Sequence, residues 1–224
     1  MDYTIDFNPD LRVGEQLDES RLYDAILWCQ EEFGVDGKSN REWILDPIDG
    51  TKNFVRGVPF WGTLIGLRID GKMNVGMVSA PALGRRWFGA IGQGSYLRTN
   101  TNNFKKERKL QVSKVSKIED AYFGYSSQER WAKRNQEENF EKLLKKVWRA
   151  RGFGDFIIHM MVAEGSIDFS MEPKLAVWDM AALIPIITEA GGTATSLEGG
   201  DPLEDKSLVT TNGLLHEEVL KNIN

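Results

Sequence analysis

One cysteine, two histidines and no surplus of positive charge set the first limits on this chain of 224 residues. A lone thiol, Cys29, cannot close an internal disulfide, which agrees with a reducing compartment such as the cytoplasm. His159 and His216 have no second histidine or cysteine at metal-ligand spacing, so a zinc site is not expected. His159 lies in an apolar helical stretch and reads as a hydrogen-bonded core residue. His216 opens an amphipathic tail and is expected to face water. A formal net charge of −5 leaves no basic face for nucleic acid. No apolar run reaches membrane-spanning length, and Met1-Asp2-Tyr3 does not begin as a signal peptide does.

With 41% hydrophobic and 27% charged residues, the chain can bury a sizeable core as a globular protein. Repeats, low-complexity tracts and linkers are missing too. The expectation is one domain over residues 1–224, with two subdomains, roughly 1–120 and 121–224, sharing a continuous core.

Read in order, Asp18-Glu19-Ser20-Arg21 is a candidate cap for a helix with Leu22, Ala25, Ile26 and Cys29 on one face. Residues 62–69 and 73–80 read as strands around Asp70-Gly71, a hairpin signal, and 86–91 and 95–99 repeat the pattern around Gly92-Gln93-Gly94. That Gly-x-Gly joins two strands and lacks a third glycine, so it is a turn rather than a dinucleotide fingerprint. Residues 100–117, with Lys105, Lys106, Arg108 and Lys109, read as a solvated loop. A strand over 121–125 is followed by one long amphipathic helix over 128–151, with Trp131, Phe140, Leu143, Leu144 and Val147 inward. Strand, helix, strand and helix follow over 151–153, 156–164, 167–171 and 179–190, the last ended by Gly191-Gly192. Strands over 193–195 and 208–211 and a helix over 214–221 complete the chain. Trp43, Trp61, Trp87 and Trp178 are expected in the core or in pocket walls.

The densest chemistry is Trp43-Ile44-Leu45-Asp46-Pro47-Ile48-Asp49-Gly50-Thr51-Lys52-Asn53-Phe54. An apolar, β-branched run ends in two carboxylates three residues apart, where a strand is expected to give way to a turn stiffened by Pro47. Asp46 and Asp49 can then hold a hard cation through oxygen. The Gly50 and Thr51 amides, at a helix start, offer a phosphate site beside it. By itself the D-x-x-D spacing also fits a solvated turn, and Asp179, at a helix start, also fits an N-cap.

The full string resembles the signature of the inositol monophosphatase family, magnesium-dependent and lithium-sensitive sugar-phosphate phosphatases. Trp178-Asp179-Met180-Ala181-Ala182, followed by Ile186-Ile187-Thr188-Glu189-Ala190-Gly191-Gly192, resembles the family's second signature. Ala25-Ile26-Leu27 and Glu31-Glu32-Phe33-Gly34 are similar to its approach to the site. The resemblance covers roughly residues 31–212 and departs at the N-terminus, which reads as shortened, miscalled at its start or rearranged and offers no confident Thr-x-x-Asp counterpart. It implies a layered αβαβα sandwich of the inositol monophosphatase and fructose-1,6-bisphosphatase type, and commonly a homodimer. It also implies magnesium ligands at Glu31, Asp46, Asp49, Asp179 and the Ile48 carbonyl, with Thr51 and Glu31 orienting a water for in-line attack and Asp49 in the catalytic set. No phosphoenzyme is needed.

Gly154-Asp155-Phe156, with Asn53-Phe54-Val55-Arg56-Gly57 and residues 80–87, is similar to the histidinol-phosphate phosphatase branch. The expected substrate is then a small phosphate ester, L-histidinol phosphate, its cationic leaving group facing Asp155 and Glu172, with Arg151 beside them. Asp155 also fits a simple helix cap. An inositol or broader sugar-phosphate phosphatase, and a catalytically weak binding or regulatory homologue, are the competing readings.

Overall fold

The computed structural model describes residues 40–101 and 104–224. The predicted helix around Leu22–Cys29 and the predicted ligand Glu31 lie outside them.

The first sheet is an antiparallel meander whose spatial order is its sequence order: β1 (Arg41–Asp49), β2 (Gly62–Ile69), β3 (Lys72–Ala80), β4 (Arg85–Ala90), β5 (Gly94–Thr101) and β6 (Phe104–Lys109). A short helix, α1 (Thr51–Val55), follows β1. Asp70 and Gly71 take the left-handed conformations that a tight hairpin needs, and Gly92-Gln93-Gly94 is a hairpin turn as expected. The basic run is corrected: β6 is the edge strand of this sheet, pairing with β5 and setting Arg98 opposite Glu107. An edge strand with lysines turned to water has the composition of a loop.

The second half contributes β7 (Tyr122–Tyr125), α2 (Glu129–Ala132), α3 (Glu137–Lys146), β8 (Arg149–Gly152), α4 (Asp155–Ala163), β9 (Phe169–Glu172), α5 (Val177–Met180), α6 (Leu183–Glu189), β10 (Thr193–Thr195), α7 (Pro202–Asp205), β11 (Leu208–Thr211) and α8 (His216–Ile223). Its strands form a mixed sheet in the order β10-β11-β9-β7-β8, with β7 parallel to both β8 and β9. Among the described residues no helix is long and apolar enough to cross a membrane.

Two predicted helices are broken, each for a local reason. The expected helix over 128–151 stops after α2, where Asn135 turns into the left-handed region (φ 59), restarts as α3, and becomes extended at Val147 before β8. Its inward set survives the break: Trp131, Phe140, Leu143 and Val147 are buried, and Leu144 is half-buried. The expected helix over 179–190 divides into α5 and α6 just ahead of Pro185, whose ring would clash with the carbonyl four residues back. Gly191, at φ 87, then closes α6, its amide on the Thr188 carbonyl.

Side-chain alternation sorts the layers. Phe123, Phe169, Met171 and Val209 of the second sheet pack with Trp131, Phe140, Leu143, Val219 and Ile223 of α2, α3 and α8. The opposite face carries Gly124, Ser170 and Thr210 against α4. The helices α4 and α6 lie between the sheets, giving the layered α/β sandwich. His159 is buried as expected. His216 is not exposed but 7% accessible, its two ring nitrogens held by Thr195 and Thr211. Trp87 is fully buried, whereas Trp43 is 58% exposed and no core residue.

The helices approach the first sheet over a row without side chains. Gly66 pairs with Gly76, and Gly76 with Gly89. A Cβ on Gly76 would stand 1.9 Å from the Ala182 carbonyl oxygen, a backbone atom that cannot step aside. Gly76→Ala should therefore cost about 3 kcal/mol or more by overpacking. Gly71→Ala, strained only by its positive φ and with open space around it, should cost about 1–2 kcal/mol. Denaturant unfolding of both variants checks this, and equal losses would contradict the close approach.

Candidate active site

The two aspartates of β1 are part of the strand rather than of a turn beyond it. Asp46 pairs with Leu64 and Asp49 with Gly62, so three steps along β1 match two along β2. Residues three apart in a regular strand face opposite ways. The extra residue of this β-bulge turns both inward, and both are buried. Pro47 occupies the bulge, where a residue without an amide hydrogen is tolerated, and its carbonyl accepts from the Thr63 hydroxyl at 2.9 Å.

Backbone amides then fix each carboxylate. Asp46 Oδ1 accepts from the Ile48 amide (3.0 Å), Asp49 Oδ2 from the Phe156 amide at the start of α4 (2.8 Å), and Asp179 Oδ2 from the Ala176 amide before α5 (2.9 Å). Asp179 is therefore both a local cap and a member of the site. One oxygen from each of Asp46, Asp49 and Asp179 falls within 4.8 Å of the others. Gly50 opens α1 at φ 76, with the Phe60 carbonyl oxygen 2.5 Å from where a Cβ would be. No other residue fits that turn. Thr51 donates its hydroxyl to the Ile48 carbonyl at 2.8 Å.

These groups line a cavity of about 540 Å³ together with Asp155 and Glu172. Burial, then the neighbouring Asp179 carboxylate, pushes Asp46 up to about 7. Burial first and the Asp155 charge second hold Asp49 well above the usual carboxylate range, and burial also raises Asp155 and Asp179. Carboxylates crowded this way are a poor arrangement without a cation and a suitable oxygen donor set for a hard one.

Asp155 does not cap its helix. It sits in the left-handed region (φ 53), and its Oδ2 accepts from the Asn53 side-chain amide at 2.8 Å. Glu172, 1% exposed at the end of β9, accepts from Ser126 and faces the Arg130 guanidinium at 3.5 Å. Arg151 is not brought to the cavity: it is exposed on β8 and donates to the Ala150 carbonyl. The cations that do line the cavity are Lys52 and Arg130.

Arg130, Lys52, Asn53, Ser126 and Ser127 are polar residues of the cavity to which the sequence assigns no role. Arg130 was hidden inside a helix predicted to be longer than it is. Ser126 had a signal, since it follows the carboxyl end of β7, and ligands gather where parallel strands end. His159 forms part of the same cavity's floor. Its Nδ1 is shared by Thr210 (2.9 Å) and Ser170 (3.1 Å), and burial pushes its pKa down to about 3, so it is neutral.

Comparison with known proteins gives a consistent result. Residues 15–224 match the model of the inositol monophosphatase family. The chain is 44% identical to a histidinol-phosphatase of Mycobacterium tuberculosis, covering 100% of this chain and 89% of that protein. It is 47% identical to a histidinol-phosphatase of Streptomyces coelicolor over 87% of this chain and 73% of that one. Among solved structures, an inositol monophosphatase from Zymomonas mobilis superposes with a TM-score of 0.75 at 25% identity, covering 91% of this chain and 80% of that one.

Burial outweighs the Ser126 and Arg130 contacts and raises Glu172 to about 7. A carboxyl raised on folding contributes stability below its ordinary value of 4.5 and loses it as pH climbs through about 7. The swing is on the order of 3 kcal/mol. In metal-free protein, the wild-type melting temperature should fall more steeply than that of Glu172→Gln between about pH 5 and pH 8, by several degrees. Parallel curves would mean that Glu172 does not titrate there.

Proposed function

Because the chain belongs to the inositol monophosphatase family, we propose that it hydrolyses L-histidinol phosphate to L-histidinol and orthophosphate as a magnesium-dependent enzyme. That it is a phosphoric monoester hydrolase follows from the family and from its histidinol-phosphatase relatives. The observation that carries the catalytic reading is the meeting of Asp46, Asp49 and Asp179 from β1 and α5.

Asp46, Asp49, Asp179 and the Ile48 carbonyl would hold the magnesium, and Glu31 is proposed to complete the set. Magnesium there supplies positive charge to the phosphoryl oxygens and makes water more acidic. The other tasks fall to this chain. Thr51, its hydroxyl proton directed at the Ile48 carbonyl, keeps lone pairs to accept a hydrogen from the attacking water. That water's oxygen forms the new bond to phosphorus as the ester bond breaks in line, and the departing histidinol oxygen takes up the proton released. The Gly50 and Thr51 amides are proposed to face the phosphoryl oxygens, which carry charge through the transition state.

Substrate choice is assigned to Asp155 and Glu172. Each has one carboxylate oxygen engaged and keeps the other, Asp155 Oδ1 and Glu172 Oε1, without a hydrogen bond among the described residues. Two such oxygens suit an ammonium or imidazolium better than a neutral polyol. Arg130 replaces Arg151 as the cation beside them. A homodimer remains the proposed assembly.

With magnesium, kcat/KM for L-histidinol phosphate should exceed that for myo-inositol 1-phosphate by at least ~10-fold. Asp46→Asn should lower turnover of both by about 10³ or more. A preference for the inositol ester would overturn the substrate assignment, and an active Asp46→Asn the metal assignment. Asp155→Asn should raise KM for L-histidinol phosphate by about tenfold and spare the inositol ester.

A further inference from the structure

The side-chain nitrogen of Asn53 donates to two other segments of the chain, to the Phe60 carbonyl at 3.0 Å and to Asp155 Oδ2 at 2.8 Å. Both neighbours are acceptors, so the amide can be turned only one way, and both of its hydrogens are engaged. The same two acceptors close over Gly50, where a Cβ would stand 2.5 Å from the Phe60 oxygen and 3.4 Å from Asp155 Oδ2. Three separate stretches therefore converge at Asn53, and one of them carries the acid assigned above to the cationic leaving group.

The surroundings of Asp155 show what this bond controls. Its backbone is fixed from both sides: the Gly154 amide donates to the Tyr125 carbonyl at 3.3 Å, and the Phe156 amide to Asp49 Oδ2 at 2.8 Å. Between these ties Gly154 and Asp155 both take positive φ, 78 and 53, a conformation that an aspartate adopts only at a cost. The direction of the side chain is set separately. Among the described residues Asn53 is the one hydrogen-bond donor to the Asp155 carboxylate. Two cations, Arg130 and Lys52, act on its charge and line the same cavity. Without Asn53 the carboxylate would be free to turn to either of them, and an acid paired within the protein no longer offers an oxygen to a ligand's cation. Asn53 also lies two residues beyond Thr51 in α1, so it ties the leaving-group side of the cavity to the side assigned to the attacking water.

We propose that Asn53 is a positioning residue for leaving-group selection: by holding Asp155 Oδ2 it keeps Oδ1 for the cationic part of the ester and away from Arg130 and Lys52. Asn53 acts through Asp155 and takes no part in the bond changes at phosphorus. The inference rests on the reading of Asp155 given above and adds the group on which that selectivity depends.

The test is a cycle of four proteins with magnesium: wild type, Asn53→Ala, Asp155→Asn and the double variant, each assayed with L-histidinol phosphate and myo-inositol 1-phosphate. Asn53→Ala should raise KM for L-histidinol phosphate about tenfold with kcat within about threefold, and lower the ratio of the two kcat/KM values about tenfold. The double variant should match Asp155→Asn, a rise of about tenfold rather than about a hundredfold, because Asn53 then supports a charge that is already absent. General damage from loss of the Phe60 contact would instead lower both esters together, leave the ratio as in the wild type and overturn the proposal. Effects that multiply in the double variant would also overturn it. If Asp155→Asn loses selectivity while Asn53→Ala keeps it, the proposal falls and the substrate reading stands. If Asp155→Asn itself keeps the wild-type selectivity, the substrate reading fails and this inference fails with it. Asn53→Ser, whose one hydroxyl hydrogen can serve a single acceptor, covers an alanine variant that does not fold and should move the ratio in the same direction.

Discussion

One extra residue in β1 governs the rest of the site. Without the bulge between Asp46 and Asp49, strand alternation would place one carboxylate inside and the other outside, and no pair would exist to meet Asp179. The bulge is held on both sides: Thr63 binds the Pro47 carbonyl, and Asp46 binds the Ile48 amide. The same few residues run straight into the left-handed Gly50 and the start of α1. Acid pair and amide corner are therefore products of a single local distortion.

The electrostatics follow from that placement. Burial raises Asp46, Asp49, Asp155 and Asp179 together, and neighbouring carboxylates push the first three up further, an energetic conflict that the fold tolerates because amides from three different segments each stabilise one acid. Arg130 lines the acidic cavity against Glu172 and also an adjoining space lined by Lys133, Lys174 and Lys206. The acidic and basic spaces are thus neighbours with a shared wall.

Much of this was legible in the chain. The Asp70-Gly71 hairpin, the strands over residues 62–69, 193–195 and 208–211, and the carboxylates later found to converge were all readable, because turn chemistry and the two signatures are local. Apart from the two helices broken locally at Asn135 and ahead of Pro185, a long-range partner decided the outcome where reading failed. The Phe104–Lys109 run became a strand only because β5 offered an edge, and Arg149–Gly152 left a helix to pair with β7. His216 went inside because Thr195 and Thr211 satisfy both its nitrogens, which no helical periodicity announces. Arg151 gave way to Arg130 for the same reason: pairing with β7 holds Arg151 on β8, away from the cavity that Arg130 lines.

The bare glycine row has a bearing on the site that its distance from the chemistry conceals. Ala181 rests on Gly66 and Ala182 on Gly76, and both alanines immediately follow the helix that carries Asp179. The gap between Asp179 and the β1 aspartates is therefore a caliper whose jaws are set by backbone thickness. Oxygen-to-metal distances for calcium and magnesium differ by only about 0.3–0.5 Å. A methyl group added at Gly66 or Gly76 would press on the backbone just after the helix that carries Asp179, so a carboxylate position on which that difference in radius would be felt depends on the frame as well as on its own hydrogen bond.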